Sequence, residues 1–410
     1  MKNMFLTAAF LVACFHTTIA QFSDPALHQM RVDVVYLASD YLEGREAGTK
    51  GEMLAAEYIA RRFEAIGLAP KGDNKGWIQV FDFKYNPNPH AAAGGESRQG
   101  RNVVGYLDNR AKTTVVIGAH YDHLGKGEFG SRHAGEAAIH NGADDNASGI
   151  AALIYLAERL KNGKAKKNNY LFVAFSAEEL GLIGSKAYVN SATFDATSIN
   201  YMLNLDMVGR LNEENVLAIN GAGTSPVWKE TLPKITAGNL KVKTTDSGIG
   251  PSDHTSFYLK DIPSLHFFSG QHTDYHKPGD DAELINFDGI KRIGDFMVAL
   301  VESLDKSGKL AFTKTKDEEE GKQAARYKVS LGVMPDYVYD GEGMRIDDVL
   351  SGRAAEKAGL KKGDVIIEIG ETKVKDIYGY MEGLGKYNAG DKTTVTVKRG
   401  EEVVKVDVTF

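Results

Sequence analysis

Short runs of β-branched and aromatic residues alternate with amphipathic segments through the middle of this 410-residue chain. The predicted strands are 113–118, 170–175, 201–205 and 262–268, and apolar residues recur with helical spacing over 148–160, 180–189 and 290–304. Strands that alternate with helices predict an α/β fold, with a mixed, mainly parallel sheet that carries helices on both faces. In open sheets of this kind, ligands bind beyond the carboxyl ends of the strands.

The segments before this alternation have simpler patterns. Residues 28–67 show helical spacing that is interrupted near Gly44 and Gly48, and Gly67 is placed to end the second helix. Residues 84–101 are rich in glycine and proline, which predicts a mobile surface loop.

Acidic residues and histidines are concentrated just after the predicted strands. The candidate ligands and their neighbours are His120, Asp122, Asp145, Glu178, Glu179, Asp206 and His276. Imidazole and carboxylate together favour zinc, allow cobalt or manganese, and disfavour calcium. One carboxylate can bridge two ions about 3.5–4 Å apart, and a glutamate beside a ligating glutamate can take a proton from the water between them. The residues therefore predict a pair of divalent cations and a general base.

The motifs around these residues resemble the M28 zinc peptidases, a family of secreted bacterial aminopeptidases and glutamate carboxypeptidases. The resemblance covers roughly residues 28–304. Its motifs are GAHYDHLG at 118–125, GADDNASG at 142–149, FSAEELG at 175–181, NLDMVG at 204–209, SDH at 252–254 and YHKPGD at 275–280.

The resemblance implies a metal ligand at each of five positions. His120 and Asp206 would hold one zinc ion, Glu179 and His276 the other, and Asp145 would bridge the two. The family also implies a zinc exopeptidase-like fold for residues 21–305.

Further roles follow from the same resemblance. Glu178 would be the general base, and Asp122 would orient the His120 imidazole. Tyr275 would donate its hydroxyl to the tetrahedral intermediate, and His254 is a candidate to line the pocket. The peptide bond between Asp145 and Asn146 is expected to be cis. The other histidines of these regions are expected to be structural or solvated, namely His123, His133, His140 and His272.

The C-terminal part of the chain differs from the rest in composition and in hydrophobic pattern. Residues 306–326 are polar and predict a solvated linker, and residues 327–410 predict a small β-rich domain. SLGV at 330–333 and GLKKGD at 359–364 resemble a PDZ domain of the kind attached to bacterial proteases, with a closing hairpin about Arg399-Gly400. Such a domain would bind a peptide or protein C-terminus by strand addition, or serve as a spacer with an unused groove.

The N-terminal residues predict export. Residues 1–20 combine a basic start, an apolar run and a small-residue cleavage site, and the run is too short to span a membrane. LVAC at 11–14 also resembles a lipoprotein box, so a lipid anchor at Cys14 is the alternative to simple cleavage. The expected location is periplasmic or extracellular, or the outer membrane for a lipoprotein. The net charge of −6 and the lack of a basic stretch argue against nucleic acid as a partner.

The sequence as a whole predicts an exported di-zinc aminopeptidase that hydrolyses peptides. Three alternatives stay open: a carboxypeptidase, a glutaminyl cyclase of the same fold, and a non-catalytic peptide-binding protein. The carboxypeptidase needs a cation for the substrate carboxylate, and Arg210 is the candidate, although a structural role fits it better.

Overall fold

A computed structural model describes residues 24–85, 95–133, 135–315, 329–335, 339, 341–349, 352–375 and 377–410. The predicted signal segment with Cys14, and residues 316–326 of the predicted linker, lie outside the described residues. Among the helices that are described, none combines the length and the apolar character needed to cross a membrane.

The larger unit is built on one mixed sheet. Within the described ranges it has nine strands: β1 (Ala69–Pro70), β2 (Ile78–Tyr85), β3 (Glu96–Leu107), β4 (Thr113–His120), β5 (Asn168–Phe175), β6 (Ile199–Leu205), β7 (Val216–Asn220), β8 (Lys241–Thr245) and β9 (Ser264–Phe268). The order is β1-β3-β5-β4-β6-β9-β7-β8, with β2 also paired to β3. The central strands β5, β4, β6 and β9 are parallel, and antiparallel pairs flank them on both sides. The predicted mixed sheet is confirmed, with parallel strands at its centre.

Helices cover both faces of this sheet. They are α1 (Pro25–Leu37), α2 (Lys50–Ile66), α3 (Gly149–Asn162), α4 (Ile183–Val189), α5 (Pro226–Thr231), α6 (His254–Tyr258) and α7 (Phe287–Leu304). Along β5 the side chains of Tyr170 and Phe172 join a core with α1, α2, α3 and α7. Leu171 and Val173 point the other way and join a second core with α4 and α6. Alternate residues of one strand are thus buried on opposite faces, as the continuous apolar run predicts.

The boundaries of α2 follow from its capping residues. The Thr49 hydroxyl accepts the backbone N–H of Glu52, and Gly67 ends the helix in the left-handed conformation with φ of 82°. Glycine adopts that conformation without steric cost, so the predicted end at Gly67 is confirmed.

Two predictions about secondary structure are wrong. The segment 84–101 is not one mobile loop, because β2 runs to Tyr85 and β3 begins at Glu96, and β2 pairs with the first eight residues of β3. Residues 86–94 lie outside the described ranges. The helix expected over 180–189 begins only at Ile183. The left-handed backbone of Gly181 and Leu182 interrupts the chain before it.

The C-terminal unit is a small antiparallel sheet with two short helices. Its elements in the described ranges are β10 (Val333–Pro335), β11 (Met344–Val349), α8 (Ala354–Lys357), β12 (Val365–Ile369), β13 (Thr372–Lys373), α9 (Ile377–Gly385), β14 (Lys392–Arg399) and β15 (Glu402–Thr409). Arg399 pairs with Glu402 and Gly400 has φ of 62°, which confirms the predicted hairpin. Ile366 and Val395 lie in its own buried core.

The chain before residue 316 packs on the larger unit, although the sequence predicts a solvated linker from residue 306. Leu310 is buried in the main core, and its backbone N–H donates to Asn200 Oδ1. The Thr313 N–H donates to the Thr224 carbonyl at 2.8 Å, and the Thr315 hydroxyl lies 2.8 Å from that of Tyr258.

The central strand β5 should be sensitive to loss of apolar volume. Phe172 is fully buried, and its ring lies 6.4 Å from that of Phe63 on α2. We expect Phe172→Ala to lower the free energy of unfolding by about 3–5 kcal/mol, because the cavity cannot close between sheet and helix. Urea denaturation measures the change. Val80→Ala on β2, where Val80 is 45% exposed, is the control and should change it by less than about 1 kcal/mol. A loss below 1 kcal/mol for Phe172→Ala would contradict this packing.

Candidate metal centre

The carboxyl edge of the parallel strands gathers most of the predicted ligands. His120 is the last residue of β4, Asp206 follows β6 directly, and Glu179 lies in the turn after β5. Asp145 comes from the turn Ala143–Ser148 that precedes α3, and His276 comes from the loop after β9. The structure brings all five side chains into one cluster.

The donor atoms form two sets that share Asp145. His120 Nε2 lies 3.2 Å from Asp145 Oδ1 and 3.3 Å from Asp206 Oδ1. His276 Nε2 lies 3.2 Å from Asp145 Oδ2 and 3.2 Å from Glu179 Oε2. Ligands of a tetrahedral zinc ion with bonds of about 2.0 Å lie about 3.3 Å apart. Imidazole and carboxylate in this spacing fit one ion at each set, with one Asp145 oxygen facing each.

The charges of the cluster are strongly coupled. Burial opposes ionisation of Glu179, but the neighbouring His276 outweighs it and lowers the pKa of Glu179 to about 2. Burial also opposes protonation of His276, and Glu179 and Asp145 outweigh it and raise the pKa of His276 to about 10. The carboxylates therefore create a site that attracts positive charge.

Glu178 has the opposite electrostatic environment from its neighbour. Its carboxyl is buried, and burial together with the charge of Asp206 raises its pKa well above the ordinary value, against the effect of His120. It lines the cleft beside His120 and Asp206. A carboxylate with a raised pKa next to the donor sets is a stronger base than an ordinary glutamate and is suited to accept a proton there.

Asp122 links the His120 ligand to the glutamate turn. The His120 Nδ1 atom lies 3.3 Å from the backbone oxygen of Asp122 and 3.7 Å from its carboxylate. The same carboxylate accepts the backbone N–H of Glu178 at 3.1 Å and that of Glu179 at 3.4 Å. Asp122 thus lies against the His120 imidazole and hydrogen-bonds the backbone of both glutamates.

Several groups fix the Asp145 turn. Asp280 Oδ2 accepts the backbone N–H of Asp144 at 2.9 Å and that of Asp145 at 3.0 Å. The Asn146 amide donates to the Leu205 carbonyl and accepts the N–H of Met207, on either side of Asp206. The peptide bond between Asp145 and Asn146 is cis, as expected.

A cleft opens beside the donor sets. Among the described residues it is lined by His120, Asp145, Glu178, Glu179, Asp206, Met207, Asn220, Pro251, His266, Phe268, Gln271 and Tyr275. None of these is a lysine or an arginine.

Tyr275 stacks on His276 with ring centroids 3.8 Å apart, and burial with the nearby carboxylates raises its pKa well above the ordinary value. It therefore keeps its hydroxyl proton at neutral pH.

The expected position of His254 is wrong. His254 is fully buried on α6 and does not line the cleft; its ring stacks 4.8 Å behind that of His266, which does. His266 is the second residue after Ser264 on β9. To find it from the sequence, one would have to predict both the strand and the face of the sheet toward which each of its side chains points.

One of the histidines expected to be structural or solvated lies in the cluster. His123 Nδ1 lies 2.8 Å from Glu179 Oε1 and 3.8 Å from Asp145 Oδ2, and the donor atoms of these three residues lie within 4.8 Å of one another. The sequence signal that could have identified His123 is its position in the HYDH motif at 120–123. His140 does have a structural place, with Nε2 at 2.8 Å from the Ser131 hydroxyl, and His272 contacts Asp144 at 3.2 Å.

Arg45 is a further residue that the sequence does not single out. Its buried guanidinium donates to the carbonyls of Tyr121 at 2.7 Å, Asn141 at 2.7 Å and Gly142 at 3.0 Å, and to that of Leu37. Burial lowers its pKa to about 10, so it remains charged at neutral pH. One side chain thereby joins α1, the segment after His120 and the segment before Asp145.

Two family models match the chain. Residues 102–301 match peptidase family M28, and residues 312–410 match the PDZ domain. The chain is 31% identical over 205 residues to the probable lipoprotein aminopeptidase LpqL of Mycobacterium tuberculosis, a match of 46% of this chain and 38% of LpqL. It is 30% identical over 200 residues to the aminopeptidase YwaD of Bacillus subtilis, 46% of this chain and 40% of YwaD. The chain thus spans about two-fifths of the length of these relatives.

Solved structures agree with the fold of the larger unit. The zinc aminopeptidase BSAP from Bacillus subtilis superposes with a TM-score of 0.56 at 19% identity, over 70% of this chain and 95% of that one. A glutaminyl cyclase from Porphyromonas gingivalis superposes with a TM-score of 0.52 at 16% identity, over 68% of this chain and 98% of that one. The zinc exopeptidase-like fold predicted from the sequence is confirmed.

Arg45 gives a test of how the ligand segments are held. We expect Arg45→Met to lower the free energy of unfolding by at least about 3 kcal/mol, because several buried carbonyls lose a charged donor. Urea denaturation in the presence of a chelator measures this without a contribution from bound metal. Arg61→Met, at a side chain that is 78% exposed on α2, is the matched control. Equal stability of the two variants would contradict the role assigned to Arg45.

Proposed function

We propose that this chain is an exported metallo-aminopeptidase that removes N-terminal residues from peptides, since residues 102–301 match peptidase family M28 and residues 312–410 match the PDZ domain. The observation that carries the proposal is the pair of donor sets that share Asp145, with the Glu178 carboxyl beside them. The names of LpqL and YwaD, both aminopeptidases, agree with it.

We assign two zinc ions to the centre, with Co²⁺ or Mn²⁺ as alternatives. His120 and Asp206 would hold one ion, Glu179 and His276 the other, and Asp145 both. When bound, such a pair supplies Lewis acidity, which polarises the scissile carbonyl and makes a water molecule easier to deprotonate.

Glu178 is the general base in this proposal. Its carboxylate takes a proton from the attacking water while the water oxygen bonds to the carbonyl carbon. It then returns that proton to the nitrogen of the leaving amine as the C–N bond breaks. The raised pKa of Glu178 supports the first transfer, because a more basic carboxylate accepts the water proton more readily.

Two further residues would assist. Asp122 holds His120 and the backbone of Glu178, so that ligand and base keep a fixed relation. Tyr275 retains its proton next to His276 and can donate a hydrogen bond to the oxygen that gains charge in the tetrahedral intermediate.

The alternatives receive less support. A carboxypeptidase needs a cation in the cleft, whereas Arg210 contacts Asp274 at 3.2 Å and Asp280 at 3.5 Å and is not among the described lining residues. A glutaminyl cyclase would use one ion, whereas the chain offers two donor sets. A non-catalytic binding protein has no need of the complete set of ligand and base residues.

The remaining parts of the proposal concern location and partners. The N-terminal residues support export, either as a soluble protein after cleavage or as a lipoprotein through Cys14. The PDZ domain would bind the C-terminus of a peptide or protein.

Two substitutions separate catalysis from metal binding. We expect Glu178→Gln to retain both ions and to lose at least about 100-fold in kcat, because the amide cannot take the proton. Asp145→Ala should lose bound metal, since it removes a donor from both sets. Elemental analysis and a peptidase assay measure the two effects. Near-normal turnover by Glu178→Gln would refute its role.

Metal content and substrate choice test the activity itself. We expect the protein from Gln21 onward to bind two zinc ions and to cleave aminoacyl amides that have a free α-amino group, with loss of cleavage after chelation. N-acetylated versions of the same substrates are the control. Two bound ions with cleavage of C-terminal residues would favour the carboxypeptidase. One bound ion would favour the cyclase, and no bound ion would favour the binding protein.

A further inference from the structure

The two carboxylate oxygens of Glu179 have different partners. Oε2 faces His276 Nε2 at 3.2 Å, the separation of two donors on one tetrahedral ion. Oε1 faces His123 Nδ1 at 2.8 Å. The proposed ligand set uses only the first of these oxygens, so the second contact has no role in it.

The distance identifies this second contact as a hydrogen bond. A separation of 2.8 Å is typical of a nitrogen donor on a carboxylate, and it is shorter than the about 3.3 Å between two ligands of a tetrahedral zinc ion. His123 Nδ1 is also 3.8 Å from Asp145 Oδ2, the other oxygen on that side. The geometry therefore favours His123 as a donor to Glu179 over His123 as a third imidazole ligand.

The His123 ring is held firmly in this orientation. It is buried, and the backbone N–H of His123 donates to the Arg45 carbonyl at 3.2 Å. Gly142 lies against the ring so closely that a Cβ atom at that position would be 2.5 Å from the His123 ring carbons. The ring thus packs against the Gly142 backbone with its Nδ1 atom directed at Glu179.

We propose that His123 is a positioning residue that fixes Glu179 in one-oxygen contact with the ion on the His276 side. The inference rests on the proposed two-ion centre. An imidazole donor on Oε1 leaves Oε2 free to ligate and opposes rotation of the carboxylate into a two-oxygen contact. The ion on the His120 side has no ligand that His123 touches as closely, so the effect of His123 falls on one of the two ions.

The test compares zinc affinities of the full chain from Gln21 onward. Competition with a chromophoric chelator gives a dissociation constant for each ion in the wild type, His123→Ala, His123→Gln and His140→Gln. Removing a hydrogen-bond partner of a metal ligand weakens metal binding by about 10–100-fold. We expect a loss of that size for one ion in His123→Ala, with the other ion bound as in the wild type. His123→Gln keeps an N–H donor and should lose less, and His140→Gln, at a buried histidine bound to Ser131, should lose nothing.

X-ray absorption separates positioning from direct ligation. The number of imidazoles per zinc should be the same in the wild type and in His123→Gln loaded at saturating zinc. A lower number in the variant would make His123 a ligand and overturn the proposal. Unchanged affinities in His123→Ala, or equal weakening of both ions in both His123 variants, would also overturn it. If the wild-type chain binds no second ion, the proposed function itself is contradicted. The wild-type affinities test that point independently of the His123 variants.

Discussion

Buried negative charge at one edge of the sheet is the constraint on which the rest of the larger unit depends. The carboxyl groups of Asp122, Asp145, Glu178, Glu179 and Asp206 lie within one cluster. Burying a carboxylate is costly unless it is paired or hydrogen-bonded. Backbone N–H groups hydrogen-bond Asp122, and the imidazoles stabilise Asp145 and Glu179, whereas burial raises the pKa of both Asp122 and Glu178. The same crowding that costs stability makes the edge suited to divalent cations.

The positions of the ligands are imposed by groups outside the cluster. Arg45 joins the segments that carry His120 and Asp145 through backbone carbonyls, and Asp280 holds the Asp145 turn through two backbone N–H groups. Asn146 ties that turn to the end of β6, next to Asp206. Each of these contacts uses main-chain atoms, so the geometry of the donor sets is supported without reliance on the ligands' own side chains.

Much of this arrangement could be predicted from the sequence, for a physical reason. Parallel strands end at the same edge of the sheet, so histidines and acidic residues that follow neighbouring strands must lie near one another. The motifs then indicated which of these residues belong to the site. The features that could not be predicted are the directions of side chains and the contacts between residues that are distant in the sequence. His123 is three residues from His120, but its direction toward Glu179 depends on packing against Gly142 and on its backbone bond to Arg45, both distant in sequence. Arg45 acts through carbonyls, which carry no sequence signal.

The two donor sets differ in the kind of element that carries their ligands. His120 ends β4, and the N–H of Asp206 still bonds to the Phe267 carbonyl of β9, so both ligands extend from the sheet. Glu179 and His276 instead come from a turn and a loop, and His276 has a φ of 55°. Side chains on loops hold a ligand geometry less well than side chains on strands. The contact of His123 with Glu179, which we propose fixes that carboxylate, lies on the side whose ligands come from a turn and a loop.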